Sequence, residues 1–281
     1  MRISTKILLR INKLFKAPVH PLNLQNDGVM SYAMWQYKKG AETIKFYLDF
    51  CTEDEMFKGK TIVDIGCGAA GKSLYYASRG AKKVIGVEIL EKYEAESTAL
   101  ASELGLSDKF KFVCADAAAL PFEDGSIDTI IMNDAMEHVA NPEAVIDECL
   151  RVLSKGGRLF VNFPPINHPC GAHLSDLIYI PWVHLFFSEA TLVEAYKHLA
   201  ATVPDGNDRI SFRISKKEDG TEYFSYINHM SIKRFNRILK DKGITPAYLK
   251  HIPLRGFLKP LAVIPWLKEC FVKMVVCVFE K

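Results

Sequence analysis

The sequence predicts an α/β fold: a doubly wound, mostly parallel seven-stranded sheet with an N-terminal helical cap and a helical and hairpin insertion after the fifth strand. Two observations predict it. After residue 60, short β-branched runs alternate with helical stretches, which is the pattern of right-handed βαβ units with helices on both faces of a parallel sheet. From Pro164 the alternation stops for roughly eighty residues, far longer than an ordinary connection, which indicates a lid or substrate-binding insertion.

Each element follows from local composition. Strands are predicted where runs of Val, Ile and Phe occur, at 61–65, 83–87, 111–115, 127–132 and 157–163, and in KMVVCVFEK at 273–281. Helices are predicted from apolar periodicity at 3–16, 30–50, 71–79, 90–104 and 142–153. The insertion is predicted to hold helical segments at 174–187 and 188–199, a hairpin at Asp219-Gly220, and a helix from Ser231 that Gly243 ends.

These elements divide the chain into three predicted regions. Residues 1–55 form the N-terminal helical cap, residues 56–163 and 244–281 form the sheet domain, and residues 164–243 form the inserted region. In such a sheet, ligands bind beyond the carboxyl ends of the strands, at the point where the strand order reverses. Candidate site residues are therefore sought at the strand ends.

The charge of the chain is unevenly distributed. The 281 residues carry 36 Lys and Arg against 33 Asp and Glu, a net charge of +3, and the composition excludes a disordered or collagen-like chain. Residues 88–148 hold fifteen acids and three bases, whereas residues 223–268 hold nine bases and one acid. The two stretches are therefore expected to have different partners.

The seven cysteines are scattered and include no C-x-x-C pair, so neither a metal site nor a disulfide framework is expected. Reduced thiols fit a cytoplasmic protein best. Basic residues interrupt the apolar start of the chain, so no signal peptide is expected, and no apolar run reaches the roughly 18 residues that span a bilayer.

Residues 3–16 have the pattern of an amphipathic helix, with apolar residues on one face and basic residues on the other. Two interpretations remain open. The helix caps the globular core, or residues 1–16 rest on an anionic membrane surface as a peripheral contact that uses both faces.

A glycine-rich turn, VDIGCGAAGKS at 63–73, follows the first predicted strand and opens a helix. Glycines let the backbone approach a ligand closely, and the N–H groups of a helix N-terminus attract anions and nucleotides. Residues 66–73 fit G-x-x-x-x-G-K-S, the phosphate loop of ATPases and GTPases. The same turn also fits D-x-G-x-G, in which the carboxylate of Asp64 would repel phosphates.

Acids at successive strand ends decide between these interpretations. Glu88 ends the second strand 24 residues after Asp64, close to the spacing at which an acid holds ribose hydroxyls. Asp116 follows the third strand, and Asp134 follows the fourth. Carboxylates around one pocket disfavour a triphosphate and favour a nucleoside with cationic groups. S-adenosylmethionine, which has an ammonium, a sulfonium and a ribose, is such a ligand.

The sequence resembles the class I S-adenosylmethionine-dependent methyltransferases, of the kind that act on small molecules, in the order and spacing of VDIGCG, GVEI, CADAAALPFEDGSIDTI and NDAMEHVANPEAVIDECLRVLSKGGRLFV. The resemblance covers about residues 61–165 and, weakly, 271–280, and it implies a Rossmann-like fold with S-adenosylmethionine as cofactor. Ala70 departs from the family, because many relatives have a third glycine there, and the neighbouring Gly71 is expected to compensate.

The resemblance also implies roles for the matching residues at the methionine end of the cofactor. Gly66 and Gly68 would pack against the methionine part, and Asp64 would hold its ammonium directly or through water. Asn133 would lie near the transferable methyl group.

At the nucleoside end, the resemblance implies that Glu88 binds both ribose hydroxyls and that Ile89 lies against the adenine. Asp116 would accept a hydrogen bond from the adenine amino group, while the backbone of Ala117 meets the ring.

Two histidines are candidate general bases. His138 lies just past the fourth strand, in the loop that faces the methyl group in relatives, and His173 lies in the insertion. A small-molecule acceptor is expected and a nucleic acid is disfavoured, because the place of the D/N-P-P-Y tetrad of base methyltransferases reads NDAM. An RNA-directed methyltransferase, a phosphate-loop ATPase or GTPase, and a cofactor-binding protein without turnover remain as alternatives.

Overall fold

The computed structural model describes residues 1–18 and 30–281, which form two compact units. The sheet unit comprises Met30–Phe163, Ile232–Ile252 and Met274–Lys281. The insertion unit comprises Pro164–Ser231, Pro253–Lys273 and the described part of residues 1–29. After β5 (Leu153–Phe163), the chain passes from the sheet unit to the insertion unit between residues 163 and 164, and the predicted insertion also starts at residue 164. The predicted cap, residues 1–55, is divided between the two units after residue 29. Its residues 19–29 lie outside the described residues.

The sheet unit is built on the seven strands β1 (Thr61–Ile65), β2 (Lys83–Glu88), β3 (Phe110–Cys114), β4 (Ile127–Asn133), β5 (Leu153–Phe163), β8 (Tyr248–Pro253) and β9 (Val272–Glu280), whereas β6 (Ile214–Lys216) and β7 (Glu222–Phe224) belong to the insertion unit. The order of the seven strands in the sheet is β3-β2-β1-β4-β5-β9-β8. The first five are parallel, and β9 runs antiparallel to β5. The predicted doubly wound, mostly parallel seven-stranded sheet is confirmed. Its order reverses between β1 and β4, which is the position where such sheets bind ligands.

Helices of the sheet unit are Tyr32–Lys38, Gly40–Ile44, Glu53–Phe57, Gly71–Ser78, Glu94–Glu103, Pro142–Val152 and Ile232–Asp241. The single helix predicted at 30–50 is therefore interrupted at Lys39. Gly40 begins the next helix, and only glycine fits at this position, because a Cβ there would lie 2.1 Å from Cγ of Tyr75. The close approach fixes this segment against the helix Gly71–Ser78.

Aromatic side chains fill the core of the sheet unit. The ring of Phe57 stacks on that of Tyr76, with centroids 5.0 Å apart, and Tyr47 meets Phe160 edge to face at 5.1 Å. All four residues are fully buried. Such pairs hold the flanking helices in a fixed position on the sheet.

The insertion unit contains the helices Ile3–Asn12, Val183–Phe186, Glu189–Ala200, Gly206–Arg213, Lys259–Val263 and Lys268–Phe271, and the hairpin β6 (Ile214–Lys216) and β7 (Glu222–Phe224). The helical segment predicted at 174–187 is wrong in extent, since only its last turn is helical. Pro181 and the left-handed backbone of Trp182, with φ of 55°, prevent a longer helix.

The helix Ile3–Asn12 packs within the insertion unit along one face. Leu8 is fully buried, and the Asn12 amide donates to the carbonyl of Leu177 at 2.9 Å and accepts from the N–H of Tyr179 at 2.6 Å. Ile3 and Ile7, on another face, are exposed. Packing and an exposed apolar face therefore coexist in this helix. Within the described ranges, no helix is both long enough and apolar enough to cross a bilayer.

Candidate functional site

The glycine loop lies between β1 and the helix Gly71–Ser78. Gly66 and Gly68 have φ of 70° and 52°, in the left-handed region that glycine adopts without strain. The N–H of Gly66 donates to the carbonyl of Val87 at 2.8 Å, and a Cβ on Gly66 would lie 2.8 Å from Cβ of Ala135. Both glycines are therefore required for a turn this tight at the end of β1.

Ala70 itself takes the left-handed conformation, with φ of 59°, immediately before the helix. Gly71 does not supply it, contrary to the expectation from sequence, because its φ is not positive. Instead Gly71 allows a helix contact, since a Cβ there would lie 2.0 Å from the carbonyl oxygen of Ala33. The loop keeps its shape at the cost of one strained alanine.

Asp64, near the end of β1, is buried, and its carboxylate accepts a hydrogen bond from the Ser73 hydroxyl at 2.6 Å. Burial raises the pKa of Asp64 to about 6, although Ser73 and the charge of Lys72 act to lower it. A carboxylate with a raised pKa is stabilised by a cation brought close to it. The site thus favours a positively charged group at this strand end.

Glu88 ends β2 with its carboxylate turned toward the glycine loop. One oxygen accepts from the N–H of Gly68 and the other from the N–H of Leu90, both at 3.1 Å. Each oxygen retains a lone pair for a further donor, such as a ribose hydroxyl. The next residue, Ile89, is 64% exposed, which leaves an apolar surface open to a planar ring.

Asp116 lies beyond β3 on the exposed surface, and its carboxylate accepts from the N–H of Ala118 at 2.9 Å. Ala117 between them is buried. The short turn fixes the Asp116 side chain at the same sheet edge as Glu88, because β2 and β3 are paired in parallel.

Asn133, at the end of β4, belongs to a buried network of neutral groups. Its Oδ1 accepts from the Tyr47 hydroxyl and from the Asn162 amide, both at 2.6 Å, and its Nδ2 donates to the Tyr76 hydroxyl at 3.2 Å. The side chain is therefore engaged in the interior, where it fixes the end of β4. Its predicted place near a methyl group stays a prediction.

Lys72 and Ser73, the two polar residues of the phosphate-loop interpretation, are both held by acids. The Lys72 ammonium lies 3.0 Å from the carboxylate of Asp134, and Ser73 donates to Asp64. Although burial opposes its charge, Asp134 keeps the pKa of Lys72 above the ordinary value. The groups that would bind phosphate and Mg²⁺ are thus turned to carboxylates, which disfavours an ATPase or GTPase.

His138 follows β4 in the sheet unit and is about one-third exposed. Its Nε2 lies 3.8 Å from a carboxylate oxygen of Glu137. Burial, together with the nearby Asp134, raises the pKa of Glu137 well above its ordinary value. His138 is therefore a titratable, accessible group beside a buried acid.

His173 belongs to the insertion unit. It has a left-handed backbone with φ of 53°, its carbonyl accepts from the Tyr226 hydroxyl at 3.0 Å, and the two rings meet edge to face at 5.9 Å. Tyr226 thus fixes the backbone and ring of His173 in the insertion.

The helix Tyr32–Lys38 is a part of the site that the sequence did not predict. It contacts the helices Gly71–Ser78 and Glu94–Glu103, which follow the first two strand ends. Burial raises the pKa of Tyr32, and the charges of Lys72 and Asp134 act on it. Tyr32 therefore lies beside the glycine loop. The aromatic run SYAMWQY, residues 31–37, is the sequence feature that could indicate a role in the site. Aromatic residues at this spacing are equally typical of a helix that packs on the core, so the run alone does not predict that role.

The fold and the order of its strands are those of a doubly wound α/β domain, a class that binds ligands at the carboxyl ends of its strands. Residues 63–161 match the family described as methyltransferase domain. A probable chloroplastic tocopherol O-methyltransferase of Oryza sativa subsp. japonica is 34% identical over 109 residues, which are 39% of this chain and 30% of that protein. The sterol 24-C-methyltransferase ERG6B of Gibberella zeae is 35% identical over 99 residues, which are 35% of this chain and 26% of that protein. The chain therefore spans about a third or less of the length of these relatives.

A solved geranyl diphosphate methyltransferase in complex with SAM has the same fold, with a TM-score of 0.53 at 18% identity over 86% of this chain and 84% of that one. Residues 63–161 therefore carry a methyltransferase domain within this fold. The predicted resemblance to the methyltransferases is confirmed over residues 63–161.

Proposed function

We propose that the chain transfers the methyl group of S-adenosylmethionine to an O, N or C atom of a small-molecule acceptor. The observation that carries the proposal is the pair of acids around the glycine loop: Asp64 with its raised pKa, and Glu88 with both oxygens held by backbone N–H groups. The pair suits an ammonium on one side and a ribose on the other, with no phosphate between.

The methionine end would lie on Gly66 and Gly68, with Asp64 facing the ammonium. Tyr32 would cover this end, because its helix packs on the helix that the glycine loop opens. The fit is good, since an added cation would stabilise the ionised form of a buried acid whose pKa is now about 6.

The nucleoside end would lie on the exposed side of β2 and β3. Glu88 would accept from the ribose hydroxyls, Ile89 would cover the adenine, and Asp116 with the backbone of Ala117 would meet its polar edge. The exposed apolar surface of Ile89 supports this placement.

The cofactor supplies an electrophilic methyl on a sulfonium, whose positive charge is lost on transfer, so the protein mainly has to position both reactants. His138 and His173 are the candidate groups to take a proton from a hydroxyl acceptor. An amine acceptor needs only a neutral lone pair, and no metal ligand enters this scheme.

The acceptor is proposed to be small and apolar or amphiphilic. The names of two relatives, a tocopherol and a sterol methyltransferase, support this class.

Residues 1–16 are proposed to make a peripheral contact with a membrane surface, because Ile3 and Ile7 are exposed beside basic residues. The seven free thiols support a cytoplasmic location.

Calorimetry tests the proposed cofactor site. S-adenosylmethionine is expected to bind with micromolar affinity, Glu88→Ala to weaken binding at least a hundredfold, and the exposed control Glu103→Ala to leave it unchanged. Mg²⁺-dependent ATP binding that Lys72→Ala abolishes would overturn the proposal.

Labelled S-adenosylmethionine added to a fractionated cell extract tests the acceptor. We expect label in the organic-soluble fraction, whereas label in RNA would contradict a small-molecule acceptor.

For residues 1–16, Ile3→Ser with Ile7→Ser should reduce sedimentation with anionic vesicles and leave the packed face of the helix intact.

A further inference from the structure

A second segment of the insertion unit exposes large apolar side chains. In residues 255–268, Phe257 is 81% exposed, Val263 is 68% exposed and Trp266 is 78% exposed. Single exposed apolar residues are normal on a protein surface, but three large ones within ten positions concentrate apolar surface on one short segment, and such concentrations usually have a partner.

Basic residues alone provide the charge of this segment. Arg255 and Lys259 are exposed, Lys268 is half-buried, and the sequence from 254 to 268 contains no acid. Apolar and aromatic side chains flanked by cations are the combination that binds the headgroup region of anionic membranes.

The backbone of the segment is ordered by short helical turns. Lys259–Val263 and Lys268–Phe271 are helical, and the N–H of Lys268 donates to the carbonyl of Ile264 at 2.8 Å. Internal hydrogen bonds of this kind reduce the cost of moving the backbone into the membrane interface.

Contacts at both ends hold the segment in the insertion unit. The N–H of Leu254 donates to the carbonyl of Phe271 at 2.9 Å, and the Trp182 indole donates to the carbonyl of Cys270 at 3.3 Å. Ala262, within the segment, is buried. The exposed side chains are thus presented by an anchored element.

We propose that residues 255–268 form a membrane-docking element, in which Phe257, Val263 and Trp266 enter the acyl boundary while Arg255 and Lys259 face anionic headgroups. A membrane is favoured over a protein partner because the charge has one sign throughout and because tryptophan concentrates at membrane interfaces. The proposal extends the membrane contact of residues 1–16 to a second segment, and it does not depend on methyl transfer.

Tryptophan fluorescence of the full chain, titrated with vesicles of phosphatidylcholine and phosphatidylglycerol, tests the proposal. Because Trp266 is mostly exposed while Trp35 and Trp182 are partly buried, insertion should shift the emission to shorter wavelength. Trp266→Phe should abolish the shift yet retain vesicle sedimentation. Phe257→Ser with Trp266→Ser should weaken sedimentation at least tenfold, whereas the control Leu48→Ser, on the sheet unit, should not.

Calorimetry with S-adenosylmethionine serves as the folding control, because the double variant should bind the cofactor as the original chain does. Equal binding to vesicles of phosphatidylcholine alone would overturn the role of the basic residues. Unchanged sedimentation of the double variant would overturn the proposal. The same result is expected if the exposed side chains instead join two copies of the chain in solution. Loss of binding only in the Ile3→Ser, Ile7→Ser variant would support residues 1–16 and overturn this second element.

Discussion

Two buried aspartates, one in each unit, have opposite surroundings. Asp176 in the insertion unit lies 3.1 Å from the guanidinium of Arg209 and 3.5 Å from that of Arg213, and it accepts from the Tyr196 hydroxyl at 2.8 Å. Asp64 in the sheet unit accepts from the Ser73 hydroxyl, and burial raises its pKa to about 6.

The difference separates a charge that the fold itself compensates from the charge that we propose faces the cofactor. The two arginines offset the cost of burying Asp176, so this carboxylate is part of the fold. Asp64 keeps an unfavourable ionised state at neutral pH, which a cationic ligand would relieve. A buried acid with a raised pKa at a strand end is therefore the better marker of a binding site.

Asp176→Ala should have the largest effect. It leaves the two buried guanidinium groups of Arg209 and Arg213 without their shared carboxylate, and breaking such a network typically costs about 3 to 5 kcal/mol. Urea unfolding followed by circular dichroism measures the loss. Asp208→Ala, an exposed acid on the same helix as both arginines, should change stability by less than about 1 kcal/mol, and an equal loss in both variants would contradict the distinction.

Asp64→Asn should raise the free energy of unfolding, whereas Asp176→Ala lowers it. Because the pKa in the folded chain, about 6, exceeds the ordinary 3.8, the folded state binds more protons between these values. The unfolding free energy of the original chain should therefore fall as the pH rises from about 4 to 6 and stay lower above. The variant lacks this slope and should gain about 1 to 3 kcal/mol at pH 7.5 without cofactor. If Asp64→Asn instead loses stability at pH 7.5, the carboxylate of Asp64 is compensated by the fold, as that of Asp176 is.

Cofactor affinity should follow the ionisation of Asp64. As the pH falls through about 6, protonation removes the partner of the cofactor ammonium, and affinity should drop about tenfold between pH 7 and pH 5. Ser73→Ala should move the midpoint upward, because the Ser73 hydrogen bond lowers this pKa. Calorimetry across this range measures both effects, and a pH-independent affinity would remove Asp64 from the site.

Removing one hydroxyl from each unit tests the same comparison with the most conservative substitutions. Tyr196→Phe removes a donor to the charged Asp176 and should cost about 2 kcal/mol, whereas Tyr47→Phe removes a donor to the neutral Asn133 and should cost about 1 kcal/mol. Thermal unfolding of the two variants compares them. The reverse order would indicate that the neutral network of the sheet unit is the more important one for stability.

The sequence predicts the sheet and its strand ends well because both depend on local patterns. Asp64, Glu88 and Asp116 each follow a short run of buried β-branched or aromatic residues, and parallel strands bring such ends to one edge. The strand β8 was missed because YLKHIP carries Lys, His and Pro, which are typical of a sheet edge but a weak strand signal.

Features that depend on distant contacts could not be read from the sequence. The role of Gly71 depends on Ala33, and the neutral network around Asn133 joins Tyr47 to Asn162. The pairing of Asp176 with Arg209 joins elements 33 residues apart. No periodicity in the sequence predicts these pairs, because each depends on tertiary packing between residues that are distant in the chain.

The place of β9 in the sheet has a consequence for synthesis. This strand, formed by residues 272–280, lies between β5 and β8 and pairs with β5, from which it is separated by more than a hundred residues. On the ribosome, β5 emerges long before its neighbour and presents an open, apolar edge until residues 272–280 are made. Because an unpaired apolar strand edge can pair with other chains, we expect chaperone binding to protect the nascent chain during this interval.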